Sequence, residues 1–493
     1  MPTLDHLTSW HSDWRGLRVV VFGLGVSGFS VADTLAELGA NVLVIAEKAE
    51  ADLLDILDVI GVPHITGDAA KGIPAAVIEF APELIVTSPG VRPQHELLGW
   101  AEAQTVPVWV DIDLAWRLRD KTEKVAEWLL VTGTNGKTTT VQLVEAMLNH
   151  GGRRAIACGN IGTPILDAIR DPQGWDALVV ELSSFQLHYM GDAIAPHSSA
   201  VLNLADDHID WHGSFEAYGA AKAKVFNNVK IACVYNTGDD ATMRMVEEAD
   251  VQEGARAIGF SVVAPRLSEI GYVDDILCDR AFIQERATTA MPLATLDDLE
   301  QIGVVTPHLM ANVAAAACLA RAFGVSPDQI TEAIRNFKLD AHRIELVCES
   351  NGVAWYDDSK ATNPHAAAAS LASFDRVVWV VGGLLKGVDI KPLVETFAKK
   401  LSAAIVIGVD REPILAAFAE LAPSVALHEV QLGAGEGAVV MDEVARIAAS
   451  IAVSGDTVLL APAAASMDQF KDYADRGEKF AAAARAAVGE QRG

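Results

Sequence analysis

Apolar runs of a few residues that end in glycine or a small polar residue alternate along this chain with longer Ala-rich stretches whose apolar positions recur at helical spacing. Such alternation is the pattern of βαβ units, in which helices cover a parallel sheet. Near the start, "RGLRVVVFGLGVSGFSVADTLAELGANVLVIAEK" predicts a strand over 18–22, a glycine turn, a helix through Leu38 closed by Gly39, and a second strand over 42–45. Further on, the strand "EWLLVT" feeds the loop "GTNGK" and then the helix "TTTVQLVEAMLNHG". The segment "HLMANVAAAACLARAFG" reads as a helix stopped by Gly324, and "SPDQITEAIRNF" as another, with Ser326 at N-cap, Pro327 at N1 and Gln329 at N3. After "KLDAHRIE" the alternation restarts, with strands near 377–381, 404–407 and 457–460. Residues 260–305 are the least periodic, and no element is assigned there.

The length of 493 residues suits three domains of roughly 150 residues each. The charged stretch "RDKTEKVAEW" marks the first boundary, so the expected division is 1–124, 125–338 and 339–493. With 51% apolar residues, 6% aromatics, no internal repeat and no low-complexity tract, each domain is expected to be globular. Five scattered cysteines without a C-x-x-C pair argue against a disulfide framework and a zinc site, and fit a reducing cytoplasm. The opening "MPTLDHLTSWHSDWRG" lacks the basic-then-apolar order of a signal peptide, and no apolar run approaches the roughly 20 residues of a membrane span. A soluble, cytoplasmic protein is expected. A net charge of -28 weighs against nucleic acid and membrane surfaces as partners. Phosphate ligands remain open, because backbone amides and a few cations act locally in a cleft.

Two glycine motifs carry candidate phosphate chemistry. "GLGVSG" (Gly23, Gly25, Gly28) follows a strand, opens a helix and has Glu47 at the end of the second strand, as in a dinucleotide fingerprint. Its glycines require only a tight turn and close approach to a pyrophosphate at a helix N-terminus, which a nucleotide-sugar diphosphate also meets. The motif therefore leaves an NAD-dependent oxidoreductase, a nucleotide-sugar site and a plain βα turn all open. The second motif is a shortened P-loop, with only Thr134 and Asn135 between Gly133 and the Gly136-Lys137-Thr138 core. Backbone N–H groups converge on the helix N-terminus, Lys137 can reach a terminal phosphate, and Thr138 is placed for Mg²⁺. About 40 residues on, Glu181 ends the buried-type strand of "DALVVELSSFQL", where its carboxylate would face the same loop as a Mg²⁺ ligand or stand solvated. By residue type alone, Lys222 reads as a solvated helix lysine and His208 as a polar loop residue.

"GTNGKTTT", "GNIGTP", "ELSSFQL", "NLADDHIDWH", "AAKAKVF", "AHRIE" and "DDSKATNP" occur in the order seen in the Mur ligases, and the chain resembles that family over nearly its whole length. These are ATP-dependent amino-acid ligases of peptidoglycan precursor synthesis. The resemblance implies an α/β fold of three domains: a Rossmann-like N-terminal domain, a central P-loop ATPase-like parallel-sheet domain and a C-terminal Rossmann-like α/β domain. Within the family, "GLGVSG", "TSPGV" and "APAAASMDQFKDYADRGEKF" resemble the members that add D-glutamate to UDP-N-acetylmuramoyl-L-alanine. A folylpolyglutamate-type or other Mur-type ligase, sharing the ATP machinery, is the near alternative, and an NAD-dependent oxidoreductase and a nonenzymatic nucleotide switch are the distant ones. A monomer is expected.

Carried over position by position, the resemblance implies that Gly133, Thr134, Asn135, Gly136, Lys137, Thr138 and Thr139 cradle the ATP phosphates. Asn312, Arg343 and Asp358 would serve ATP, with Arg343 and Lys360 supplying positive charge near the triphosphate. Two Mg²⁺ ions are implied, one on Thr138 and Glu181, the other on His208 and an N-carbamylated Lys222. Lys137, Asn160, His208 and Lys222 form the catalytic set, Asn160 contacting the substrate or the transferred phosphoryl group. Gly25, Val26, Ser27, Glu47, Lys48 and Ser88 would hold the uridine end, while Lys360, Thr362, Lys386, Ser466 and Tyr473 line the amino-acid side. The family often carries Asn where this chain has Leu309, in "HLMAN".

Overall fold

A computed structural model describes residues 4–385, 387–434 and 437–489. Among the described residues the apolar runs pair into three separate sheets. The first contains β1 (Arg18–Phe22), β2 (Asn41–Ala46), β3 (His64–Thr66), β4 (Leu84–Thr87) and β5 (Val108–Trp109), all parallel in the order β3-β2-β1-β4-β5. Strand order reverses between β1 and β4, so "GLGVSG" leaves the carboxyl end of β1 at a topological switch point, where ligands bind in open α/β sheets. Val19, Val20 and Val21 are all buried. Helices cover both faces, and the strand therefore reads as a continuous apolar run.

The second sheet contains β6 (Glu127–Thr132), β7 (Ala155–Gly159), β8 (Ala177–Glu181), β9 (Ser198–Val201), β10 (Ala232–Asn236), β11 (Arg256–Phe260), β12 (Glu269–Val273), β13 (Ile276–Asp279) and β14 (Met291–Thr295). Its order is β14-β13-β12-β11-β10-β9-β6-β8-β7, parallel from β7 through β12 and antiparallel thereafter. The antiparallel meander occupies the stretch to which sequence periodicity assigned nothing. Its strands are four or five residues long, and Pro292 lies inside β14. As the edge strand, β14 tolerates a proline, whose missing N–H would break the ladder of a central strand.

By contact density the chain divides into two units, 1–295 with 311–334, and 296–310 with 335–493. The first two sheets belong to the same unit. Helix Val26–Glu37 meets helix Ile165–Ile169 through Ser30 Oγ, which donates to Asp167 Oδ1 at 2.6 Å. Arg170 continues the seam, donating to Asp33 (2.6 Å) and Thr34 (3.0 Å).

The other unit carries the third sheet, β15 (Glu345–Ser350), β16 (Val353–Asp357), β17 (Val377–Gly382), β18 (Leu401–Ile407), β19 (Ala426–Glu429) and β20 (Thr457–Leu460), in the order β15-β16-β20-β17-β18-β19. Among the described residues only its β15–β16 pair is antiparallel. Two apolar clusters cover its faces, one including Val378, Val380 and Ile405, the other Val377, Trp379 and Val381.

The strand expected over 18–22 has those bounds, and those expected over 42–45 and 404–407 lie inside longer strands. The cap expected before residue 327 is present: Ser326 N donates to Gln329 Oε1 (3.0 Å) and Gln329 N to Ser326 Oγ (3.4 Å).

Asp279, fully buried at the end of β13, accepts from Arg321 Nε at 2.8 Å and from the backbone N–H groups of Ala281 and Phe282. Asp279→Ala leaves the Arg321 charge without its partner and is expected to lower stability by about 3 kcal/mol in urea denaturation. A loss below about 1 kcal/mol would show that the pair is not what holds the meander to helix Pro307–Ala322.

Candidate active site

β6 ends at Thr132 and the chain turns through Gly133 (φ 156°) and Gly136 (φ 84°) into helix Lys137–His150. The N-cap residue, Gly136, has no side chain with which to cap that helix, and a helix N-terminus of this kind attracts anions. Gly136 has a steric reason as well as a conformational one: a Cβ there would lie 2.2 Å from Asn312 Oδ1. Asn312 thus stands directly over the loop. The loop itself is anchored by Asn203, whose Oδ1 accepts from Asn135 N at 2.9 Å and whose Nδ2 donates to Asn135 O at 3.1 Å. Thr134 Oγ1 contacts Ala205 O (3.2 Å) and Tyr218 OH (3.0 Å). Lys137 Nζ folds back onto Gly133 O and Thr134 O, each at 2.9 Å. Thr139 is buried in the first turn of the helix.

Strand order explains the next feature. β8 lies between β6 and β7, and Val131, Gly159 and Glu181 are in register across them. Glu181 is 2% exposed, and its two oxygens are taken separately: Oε2 by the Thr138 hydroxyl at 2.8 Å, Oε1 by Asn160 Nδ2 at 2.9 Å. A carboxylate and a hydroxyl this close, at a P-loop, suit a hard divalent cation.

Lys222 is not the solvated lysine that its residue type suggests. It is 2% exposed, and its Nζ donates to Gly133 O (2.8 Å) and Thr132 Oγ1 (3.3 Å). Burial pushes its pKa well below the ordinary lysine value, and the Lys137 charge pushes the same way, against Asp207 and Glu181. His208 has a left-handed backbone (φ 53°) at the start of helix Ile209–His212, with its ring 4.7 Å from that of Phe185 and its Nε2 3.5 Å from Asp207. His212 beside it bonds the Ser184 hydroxyl (2.9 Å), and burial pulls its pKa down to about 4.

A cavity of about 660 Å³ opens at the carboxyl end of β1, lined by "GLGVSG" together with Glu47, Lys48, Ser88, Arg92 and His95. All six residues expected at the uridine end, Gly25, Val26, Ser27, Glu47, Lys48 and Ser88, line it. Gly28 is required by packing: a Cβ would meet Gly23 O at 2.1 Å. Glu47 is exposed, 3.7 Å from His95 Nε2.

In the other unit, Asp358 is buried with its Oδ2 accepting from the Ser370 hydroxyl, and burial raises its pKa to about 6 against the opposing pull of Ser370 and Arg343. Arg343 sits between His342 (φ 67°) and Ile344 (φ 47°), two non-glycine residues in the left-handed region. Lys360 Nζ lies 3.8 Å from the Tyr473 ring centroid, so two of the expected amino-acid residues meet in a cation–π contact. Thr362 N donates to Lys360 O at 2.8 Å, and Ser466 is buried. Leu309 is also buried. Lys386 lies outside the described residues.

Three residues of these sites were missed from sequence. Asn203 and Tyr218 brace the P-loop; Tyr218 precedes Lys222 by four, on the same helix face, a signal that was available. Arg476 is fully buried in unit two and donates to Ser359 Oγ (2.9 Å), Ser359 O (2.8 Å) and Ala464 O (3.1 Å), tying the segment of Asp358 and Lys360 to that of Ser466.

Residues 17–110 match the family model of the Mur ligase MurD-like N-terminal domain, 131–320 that of the Mur ligase middle domain, and 342–464 that of the Mur ligase, glutamate ligase domain. The chain is 57% identical over 496 aligned residues to a UDP-N-acetylmuramoylalanine--D-glutamate ligase of Leifsonia xyli, covering 99% of this chain and 96% of that protein. A protein of the same name from Streptomyces coelicolor is 47% identical, covering 96% and 99%. Among solved structures, the UDP-N-acetylmuramate-alanine ligase MurC of Thermotoga maritima superposes with a TM-score of 0.57 at 17% identity, covering 96% of this chain and all of that one. The MurF ligase of T. maritima, in complex with ADP, gives 0.54 at 17%, covering 99% of each.

The loop geometry yields a test. Gly136→Ala forces a side chain into a positive-φ position and against Asn312, and is expected to weaken binding of an ATP analogue at least about tenfold in calorimetry, the equivalent of roughly 1.4 kcal/mol. Unchanged affinity would mean that the loop does not hold the phosphates.

Proposed function

The chain belongs to the Mur ligase family, and we propose that it joins D-glutamate to UDP-N-acetylmuramoyl-L-alanine with conversion of ATP to ADP and phosphate. The observation that carries this reading is the 57% identity over the whole chain to a ligase named for that reaction. The Glu181–Thr138–Asn160 corner, with Lys222 buried nearby, supports it. We assign the three sheets to domains 1–124, 125–338 and 339–493, which serve the nucleotide sugar, ATP and D-glutamate in turn. The enzyme acts as a monomer in the cytoplasm; among the described residues no helix is long and apolar enough to cross a membrane.

A carboxylate does not react with an amine at neutral pH, because its leaving group would be oxide. Transfer of the γ-phosphoryl group to the substrate's alanyl carboxylate gives an acyl phosphate, whose leaving group is phosphate. The amine of D-glutamate attacks that carbonyl, and the tetrahedral oxyanion collapses to the amide. Loop amides from Gly133 to Thr139 and the Lys137 ammonium hold the triphosphate, and Asn160 orients the group in transfer. Asn312 packs over the loop on the nucleotide side.

The donor set fits magnesium: Thr138 and Glu181 are the proposed ligands of one ion, His208 and N-carbamylated Lys222 those of a second. Magnesium, when bound, screens the repulsion between the triphosphate and the incoming carboxylate. Carbamylation needs an unprotonated amine, which adds to CO₂ with release of a proton, and burial shifts Lys222 in that direction. Arg343, Asp358 and Lys360 serve ATP, while Thr362, Lys386, Ser466 and Tyr473 take D-glutamate, whose two carboxylates call for cations and hydroxyls. The six cavity residues from Gly25 to Ser88 hold the uridine diphosphate end.

Phosphate release is expected with ATP, Mg²⁺, UDP-N-acetylmuramoyl-L-alanine and D-glutamate, and not when L-glutamate, meso-diaminopimelate or L-lysine replaces D-glutamate. Release with a different amino acid would reassign the acceptor. Asp358 adds a pH dependence. Its raised pKa makes the ionised form complete only above about 6, and the carboxylate accepts from ribose hydroxyls more strongly than the protonated acid, which has one oxygen acting as a donor. KM for ATP should rise as pH falls through that value, while Asp358→Asn should show a high KM at every pH; a pH-independent wild-type KM removes Asp358 from the nucleotide site.

A further inference from the structure

The residues that precede Arg343 and Asp358 in the chain form an ion pair that the sites above do not use. His342 Nδ1 lies 2.6 Å from Asp357 Oδ2, and the two side chains are 12% and 1% exposed. An ionised carboxylate only accepts, so Nδ1 is the ring nitrogen that carries the hydrogen. The bond to Asp357 holds the His342 pKa above its ordinary value, against the effect of burial. Both partners are tied down further. Asp357 Oδ1 accepts from Ser359 N at 2.9 Å, closing a turn over Asp358, whose own N–H donates to Leu460 O at 2.8 Å. His342 N donates to Glu345 Oε2 at 3.0 Å, and His342 O accepts from Lys360 N at 3.2 Å.

The pair accounts for a backbone that is otherwise unfavourable. Arg343 stands between two left-handed residues, His342 (φ 67°) and Ile344 (φ 47°), and for a β-branched side chain that conformation is exceptional. Strain of this kind persists only where the surroundings over-determine it. At His342 they do so through the ring, the N–H and the carbonyl, held by Asp357, Glu345 and Lys360 in turn. The fold also makes room for the ring. Gly477 is buried in helix Tyr473–Gly489, and a Cβ there would lie 2.2 Å from His342 Nδ1 and 2.6 Å from Asp357 Oδ2. A helix interior favours alanine over glycine, so it is the space that calls for glycine here. One hydrogen bond thus joins the turn that carries Arg343 to the strand end that carries Asp358.

We propose that His342 is a positioning residue whose bond to Asp357 holds Arg343 and Asp358 in the arrangement that receives ATP. This inference rests on the ligase reading, which gives those two residues to the nucleotide. Neither His342 nor Asp357 has to touch ATP for the effect. With the ring unpinned, the strained turn relaxes, and ordering it again on binding lowers the affinity for ATP.

Three variants separate the pin from the strain that it holds. His342→Gly adopts the left-handed backbone without steric cost but removes the ring. His342→Asn keeps both features, since asparagine tolerates that backbone and its amide nitrogen can donate from near the position of Nδ1. Gly477→Ala leaves the turn untouched, favours the helix and drives a methyl group into the pair. Calorimetry on the full chain with Mg²⁺ would measure the affinity for a non-hydrolysable ATP analogue and, separately, for UDP-N-acetylmuramoyl-L-alanine.

His342→Gly and Gly477→Ala are each expected to weaken the ATP analogue at least about tenfold, with the nucleotide sugar within about threefold of wild type. His342→Asn is expected to stay within about threefold of wild type for both ligands. Wild-type affinity for the analogue in either His342→Gly or Gly477→Ala would overturn the inference. So would a loss in His342→Asn as large as that in His342→Gly, or a parallel loss for both ligands, the mark of a general effect on folding. Failure of the wild-type chain to bind the analogue would overturn the ligase reading, and this inference with it.

Discussion

The carboxylate of Glu181 is buried where three parallel strands end together, and the corner beside the P-loop depends on keeping it there. Taking a charge out of water is costly unless each of its lone pairs finds a donor. Here Thr138 and Asn160 supply one donor to each oxygen. They can do so only because β8 runs between β6 and β7 with Val131, Gly159 and Glu181 in register. A slip of one residue in that register would turn the carboxylate to the opposite face of the sheet. Sheet order, rather than any single loop, is thus what assembles the site.

Burial is met in two ways within the same few ångströms. Glu181 has a neutral donor on each oxygen, Thr138 and Asn160. At Lys222 the neighbours are a carbonyl, a hydroxyl and the like-charged Lys137, and the amine is driven toward its neutral form. A protein with a net charge of -28 can gather polyanions in this way because the field of a few buried groups and oriented N–H dipoles outweighs the remote, solvent-screened surface charge.

Much of this was legible in the sequence because it is local. The P-loop, the strand before it, the helix after it and the cap at Ser326 are each set by residues within a few positions, and periodicity finds them. Glu181 was legible for a different reason: a parallel βαβ crossover brings the ends of adjacent strands together. The meander at 269–295 was not, since its short strands alternate weakly and a proline sits in one of them. Lys222 was misread because burial is a tertiary property; the helix carrying it has no strong amphipathic stripe, with Tyr218, Gly219, Ala221 and Lys222 all buried. Arg476 and Asn203 escaped because what they brace is distant in sequence.

The two glycine motifs differ in how much their backbones can decide. Both place a helix N-terminus at the carboxyl end of a parallel strand, and both need glycine where a Cβ would collide, at Gly28 with the Gly23 carbonyl and at Gly136 with Asn312. The P-loop is followed by a lysine and a threonine that meet a buried acid, so its chemistry is written into side chains that the loop itself positions. "GLGVSG" offers only amides and the Ser27 hydroxyl, a description that fits any diphosphate. What narrows it lies elsewhere in the fold, in Glu47, Lys48, Arg92 and His95, which line the same cavity. A phosphate-binding turn acquires its identity from the side chains that other elements bring to it, and here those come from just beyond the carboxyl ends of β2 and β4.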